Sequence, residues 1–231
     1  MNHIMASRGS KRVGDVRAYF ERTAGAFDRL YGEEAQSSLT RWMNRRFRSD
    51  IVGRFVFTCE HIKNSRVRSV LDVGCGSGRY LAAFAGIGVN RMVGVDLSQP
   101  MLDLAARYVT ATGHENTQLV RADFDAFETE EKFDTVVAMG YYDYQPDPVA
   151  VLRKMRGMAR LSVVASFPSR HWLRTPLRQL RYRLKKCHVY FYDSAMIENI
   201  ARQAGFLSVE TTKLPGAGMD FVSVMHVASN A

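Results

Sequence analysis

No apolar run in this chain approaches the ~20 residues that a membrane-spanning helix requires, so no transmembrane segment is expected. The first residues, Met1-Asn2-His3-Ile4-Met5-Ala6-Ser7-Arg8, contain no apolar stretch of the kind a secretory signal needs. Cysteine is scarce. Cys59, Cys75 and Cys187 stand far apart, with no C-x-x-C pair, no metal-ligand spacing and no even set for a disulfide framework. Internal repeats and low-complexity tracts are also missing. These absences predict a reduced, cytoplasmic protein with no structural metal.

What is present is enough for a full core. The chain has 231 residues, 46% of them hydrophobic, which suits one sizeable α/β domain with a terminal extension. Net charge is +9. Such a balance invites an anionic partner: nucleic acid, a membrane surface or an acidic small molecule.

The stretch Val70-Leu71-Asp72-Val73-Gly74-Cys75-Gly76-Ser77-Gly78-Arg79 reads as a buried strand, a glycine-rich turn and the start of a helix. Glycines there let the backbone turn sharply and let a ligand approach closely. Twenty positions after Gly76, at the end of a second apolar strand, stands Asp96. An acid at that spacing is placed to hold the two hydroxyls of a ribose. A dinucleotide fingerprint would carry a third glycine where Arg79 stands. Asp72, inside the first strand, would repel a pyrophosphate and suit a ligand with a positive amino group or sulfonium.

Along the chain, residues 1–12 are polar and basic and are expected to form a flexible tail. Residues 13–64 carry apolar residues at three- and four-residue steps and predict an N-terminal helical cap. Residues 65–231 then alternate. Strands are predicted at 69–73, 91–95, 117–121, 133–138, 161–165, 206–211 and 221–227. Helices are predicted at 78–86, from Ser98 to Tyr108, at 148–158 and at 194–203. This alternation predicts an α/β, Rossmann-like, doubly wound sheet of seven strands with right-handed crossovers.

The pattern Asp72-x-Gly74-x-Gly76-x-Gly78 followed by Asp96 resembles the first two motifs of the class I S-adenosylmethionine-dependent methyltransferases. The resemblance implies that S-adenosyl-L-methionine is the cofactor, that the last strand is antiparallel, and that the glycine motif lies under the cofactor's amino acid part. Asp123, after strand three, would take the adenine amino group, and the backbone of Phe124 would read the ring. With these, Asp72, Gly74, Cys75, Gly76, Gly78, Asp96, Leu97, Met101 and Met139 make up the expected cofactor site. The string from Val16 to Gly32 resembles the N-terminal helix of small-molecule methyltransferases, whose aromatic residues close over cofactor and acceptor. Tyr19 and Tyr31 are the matching candidates here.

After strand four comes Met139-Gly140-Tyr141-Tyr142-Asp143-Tyr144-Gln145-Pro146, a loop expected between cofactor and acceptor because ligands sit beyond the carboxyl ends of such strands. Its tyrosines can shape a pocket for a planar acceptor. Tyr142 is the acceptor-binding candidate, and Asp143 and Tyr144 are candidates for a base or hydrogen-bond partner. Residues 166–192 read as a basic lid. From Phe167 to Tyr192 there is no acid, while Arg170, Arg174, Arg178, Arg181, Arg183, Lys185 and Lys186 are interleaved with aromatics. Arginine forks suit carboxylate or phosphate, and Arg170, His171 and Arg174 are expected to contact the acceptor.

Much of the chain is also similar to the magnesium-protoporphyrin O-methyltransferase group, which methylates a carboxylate. That group carries a histidine in the loop after strand four, where Tyr144 stands here. The expectation is methyl transfer to an oxygen or nitrogen of a small anionic or aromatic molecule. Two alternatives are an RNA methyltransferase and a cofactor-binding regulatory protein without turnover. Neither an Asn/Asp-Pro-Pro-aromatic turn nor a Pro-Cys nucleophile motif supports a nucleic-acid substrate.

Overall fold

The computed structural model of the chain describes residues 38–169, 189–214 and 220–227, with side chains from residue 51 onward. The tail at 1–12, most of the lid, and the candidates Tyr19, Tyr31, Arg170, His171 and Arg174 lie outside the described residues.

Helix α1 (Ser38–Asn64) precedes an alternating run: β1 (Ser69–Val73), α2 (Arg79–Ile87), β2 (Arg91–Asp96), α3 (Gln99–Thr110), β3 (Thr117–Arg121), β4 (Phe133–Ala138), α4 (Pro148–Met158) and β5 (Ala159–Phe167). It closes with α5 (Ser194–Ala204), β6 (Ser208–Lys213) and β7 (Phe221–His226). The seven strands form one sheet in the order β3-β2-β1-β4-β5-β7-β6. Strands β1 to β5 pair in parallel, and β7 runs antiparallel between β5 and β6. This is the doubly wound, seven-stranded sheet with an antiparallel last strand that the alternation and the resemblance together predict.

The central strands read as apolar runs because both of their faces are covered. On one face Leu71, Val73, Val136 and Val163 pack against Val151 and Leu152 of α4 and Ile197 and Ile200 of α5. On the other, Val70, Met92 and Val137 pack against Ile62 of α1, Leu81 and Phe84 of α2, and Leu102 and Val109 of α3. Phe84 is fully buried, a contribution of roughly 2 kcal/mol relative to exposure.

Helix starts follow local chemistry. Asp147 Oδ1 accepts from the Ala150 amide at 3.0 Å, and Asp193 Oδ1 from the Met196 amide at 2.8 Å. Pro100 and Pro148 lie in first turns. Ser98 occupies the N-cap of α3 as expected but makes no side-chain capping bond. Strand β5 is longer than its apolar centre predicts, because β7 pairs with it from Ser162 to Phe167. Strand β6 begins two residues later than predicted, at Ser208, the partner of His226.

β1 is the pivot of the sheet. Chain connection runs outward to β2 and β3 on one side and to β4 and β5 on the other. The loops after β1 and β4 therefore part in opposite directions, and a crevice opens above the carboxyl ends of the strands.

Candidate active site

Four strand ends converge on this crevice. After β1, the amides of Gly74 and Cys75 both donate to the Val95 carbonyl, at 2.8 and 3.1 Å, which ties the glycine turn to β2. The Gly76 amide donates to Asp96 Oδ2 at 2.9 Å, and the Ser98 amide donates to Asp96 Oδ1 at 2.8 Å. Asp96 is thus oriented by the turn on one side and by the start of α3 on the other. Each of its oxygens retains a second lone pair for an incoming hydroxyl. Burial raises the Asp96 carboxyl, and the amides of Ser98, Gly76 and Leu97 oppose that shift.

Two glycines of the motif have different reasons to be glycine. Gly76 has φ +53°, and a Cβ there would meet nothing within 4 Å, so its open side faces empty space where a ligand can come close to the backbone. Gly78 has φ +74°, and a Cβ there would lie 2.7 Å from Ala105 Cβ. Its side of the turn serves the packing of α2 on α3.

Asp72 is 1% exposed, and its Oδ2 has no hydrogen-bond partner. Burial, and next the Asp96 carboxylate, raise its pKa to about 8. A buried carboxyl with an unmet oxygen is costly. A cationic group arriving beside it relieves that cost, whereas a pyrophosphate would add to it. The residues at this corner therefore fit a ribose-bearing ligand with positive charge near the glycine turn.

The remaining expected cofactor residues are placed as follows. Leu97 is half-buried, and Met101 is buried in the first turn of α3. Asp123 sits after β3, where its Oδ1 accepts from the Asp125 amide at 3.0 Å in a tight turn. Phe124 is buried and meets the Tyr141 ring edge-on, with centroids 6.2 Å apart. The Cys75 side chain is turned into the core beside Leu81 and Leu102, so only its backbone can face a ligand. Burial first, with Asp72 and Asp96 adding, pushes its thiol well up. Met139 Sδ accepts from the Thr58 hydroxyl of α1 at 3.7 Å.

The loop after β4 corrects one assignment. Tyr142 is fully buried, stacks on Phe167 with centroids 4.6 Å apart, and points its hydroxyl at Met155 Sδ, 3.4 Å away. It is a core residue, packed against Phe167 and Met155. The ring nearest the glycine turn is Tyr141, whose Cδ2 lies 3.0 Å from where a Gly74 Cβ would be. Its phenol is pushed up by burial and then by Asp125, Asp123 and Asp96, so it borders the acids at the ends of β2 and β3. Gly140, at φ +73°, turns the chain just before it, and the alternation of β4 no longer predicts which tyrosine faces which way. Asp143 is buried, and its carbonyl accepts from the Tyr190 amide at 2.9 Å. Tyr144 is half-buried, with its amide donating to the Tyr141 carbonyl at 3.3 Å.

Sequence reasoning also missed Arg54 of α1 and Ser166 of β5. Arg54 Nη1 donates to Ser166 Oγ at 3.2 Å, and the Gly140 amide donates to the same oxygen at 2.8 Å. Their sequence separation of 112 residues left no local signal. Among the described residues no group of three or more His, Cys, Asp or Glu side chains is arranged to hold a metal. No described helix is long and apolar enough to cross a membrane.

Strand order and the glycine turn after β1 define an α/β protein of the Rossmann-like type. Residues 70–161 match the family model described as a methyltransferase domain. The matched stretch takes in the glycine turn, Asp96 and the loop after β4, and over it the chain is similar to methyltransferases. Its described fold is similar to the crystal structure of magnesium protoporphyrin IX methyltransferase from Synechocystis PCC 6803 with bound S-adenosylhomocysteine, with a TM-score of 0.70, 20% identity, and coverage of 91% of this chain and 97% of that one. It is 28% identical over 178 residues to a ubiquinone biosynthesis O-methyltransferase of Hydrogenovibrio crunogenus, covering 72% of this chain and 70% of the relative. It is 33% identical over 102 residues to a tRNA U34 carboxymethyltransferase of Shewanella sp. (strain W3-18-1), covering 44% of this chain and 31% of the relative. The match thus spans about a third of the length of such tRNA-modifying relatives.

Proposed function

We propose that this protein transfers a methyl group to an oxygen or nitrogen of a small anionic or aromatic molecule. The observation that carries the reading is the corner itself: a glycine turn open above Gly76, braced by Asp96, with a buried unpartnered oxygen of Asp72 beneath it. Bound there, S-adenosylmethionine supplies a methyl group carried on a positively charged sulfur. Asp72 is assigned to the cationic amino acid end, Asp96 to the ribose, and Asp123 with Phe124 to the adenine. The backbone of the Gly74–Gly78 turn leaves room for close approach. The loop from Gly140 to Gln145 borders the acceptor, with Asp143 and Tyr144 orienting it. Orientation in a dry, shaped site is the protein's main contribution to such a transfer.

The anionic character of the acceptor is supported by where the basic segment attaches. Ser169 bridges Tyr192, and the Tyr192 amide donates to the Pro168 carbonyl at 2.9 Å. The Tyr192 hydroxyl donates to the Tyr142 carbonyl at 3.3 Å. Both ends of the stretch that holds Arg170, His171 and Arg174 are therefore rooted beside the loop after β4.

The test has two parts. Titration with S-adenosylhomocysteine is expected to give binding, and titration with NADH none; tight NADH binding without S-adenosylhomocysteine binding would falsify the cofactor assignment. Incubation with methyl-labelled S-adenosylmethionine and cell extract, with and without nuclease, then reads the acceptor class. Label on a nuclease-resistant small molecule is expected. Label that vanishes with nuclease would favour an RNA acceptor, the second reading, which the similarity to tRNA-modifying enzymes supports.

A further inference from the structure

Arg54 places a guanidinium on the ligand side of the sheet, at the carboxyl ends of β4 and β5. Its side chain is 16% exposed and lies 3.8 Å from the Asp220 carboxylate, just before β7. Its Nη1 also donates to Ser166 Oγ, which takes the Gly140 amide as a second donor. One hydroxyl is thus held between α1 and Gly140 of the loop after β4. Around Gly140 the geometry is close. A Cβ built there would lie 3.7 Å from Arg54 Nη1 and 3.9 Å from Asp143 Oδ2, so both side chains flank the same turn.

A charged side chain is rarely buried for stability alone, since desolvation offsets much of the attraction between the partners. A helix that only needed an anchor on the sheet already has one in Ile62, Thr58 and Phe57. What Arg54 adds is direction. A guanidinium is a planar fork with fixed donor angles, and here it connects α1, β5 and the residue before β7 to a single loop.

We propose that Arg54 is a positioning residue for the acceptor side of the site: through Ser166 and Asp220 it sets the backbone of the loop from Gly140 to Tyr144, so that the loop's place follows α1. This rests on the reading that the loop borders the acceptor. It assigns Arg54 no contact with acceptor or cofactor.

The test compares Arg54→Met, Arg54→Lys, Ser166→Ala and the Arg54→Met/Ser166→Ala double variant in the full chain. Hydrogen exchange is read on peptides covering 139–145 and, as a control, on peptides of β1 and β2. Arg54→Met is expected to speed exchange in 139–145 by at least about tenfold while the β1 and β2 peptides stay as in the wild type, an opening confined to one unit. Arg54→Lys keeps the charge and loses the fork, and is expected to fall between. The double variant is expected to be no worse than the worse single one, because both changes cut one linkage. S-adenosylhomocysteine affinity is expected to stay within about threefold, while labelling of extract acceptors falls by about tenfold or more, since small misplacements cost rate steeply.

Unchanged exchange in 139–145, or equal acceleration in all peptides, would overturn the proposal. Should Arg54→Met fail to fold, Ser166→Ala leaves the Arg54 and Asp220 pair intact and gives the same local readout. Failure of the wild type to bind S-adenosylhomocysteine would sink the cofactor reading, while the exchange comparison would still decide the role of Arg54.

Discussion

Asp72 is expected to act in opposite senses on the free protein and on ligand binding. Its folded-state carboxyl titrates near 8, raised chiefly by burial, whereas in an unfolded chain it ionises near pH 4. Between those values the folded form holds a proton that the unfolded form has lost. Its contribution to stability is therefore full below about pH 4 and declines as the pH rises towards 8. Asp72→Asn is expected to melt higher than the wild type at pH 8, with the gap closing towards pH 5. The same variant is expected to bind S-adenosylhomocysteine about tenfold more weakly, the loss of one charged contact. Melting curves across that range, with and without ligand, check both; a gap that widens towards pH 5 would reverse the assigned sign. Tyr142 makes the contrasting case. Tyr142→Ala is expected to cost about 3–5 kcal/mol, as for other large buried rings, while Tyr142→Phe is expected to cost under about 1 kcal/mol and to leave acceptor labelling unchanged. Denaturant unfolding separates the two. Asp72, Gly76 and Asp96 are legible in the sequence because a strand, a turn and a fixed spacing are local features. Tyr141 is not, because Gly140 at φ +73° breaks the alternation that would have told it from Tyr142.

Among the elements, the strands are readable from their apolar runs, and Asp147 and Asp193 mark two helix starts. α1 is readable as a helix but not in its reach. Its contacts with the sheet span most of the chain: His61 Nε2 lies 3.5 Å from Ser162 Oγ, which in turn pairs with Thr135 Oγ1 at 3.0 Å. No periodicity within α1 encodes such partners. His61 also faces His226 and, beyond it, Glu210, which is 3.4 Å from the His226 ring. Burial first, then His226, lower the His61 pKa, and Glu210 opposes them. Because the unfolded imidazole takes its proton near pH 6.5 and the folded one only at lower pH, this group's stabilising effect is complete above pH 6.5 and is lost as the pH falls below it. His61→Gln is expected to melt with a shallower decline between pH 7 and pH 5 than the wild type, by a few degrees, roughly what 1 kcal/mol does in a chain of this size. Identical slopes would remove His61 as the cause.

For the molecule as a whole, the residues that flank the basic stretch meet: Ser169 bridges Tyr192. Replacing Arg170, Arg174 and Arg178 together with Gln is expected to lower labelling of an anionic acceptor by about tenfold, as loss of charged contacts does. S-adenosylhomocysteine binding is expected to stay as in the wild type. Equal labelling by the variant would show that the positive stretch faces solvent. The bridge between Ser169 and Tyr192 has one more implication. Two points of the backbone that meet so closely can be joined by a longer flexible loop at a cost of only about 0.6 kcal/mol per doubling of its length. A foreign segment spliced between them is expected to leave the order of the seven strands unchanged, with any change confined to what the module itself contacts.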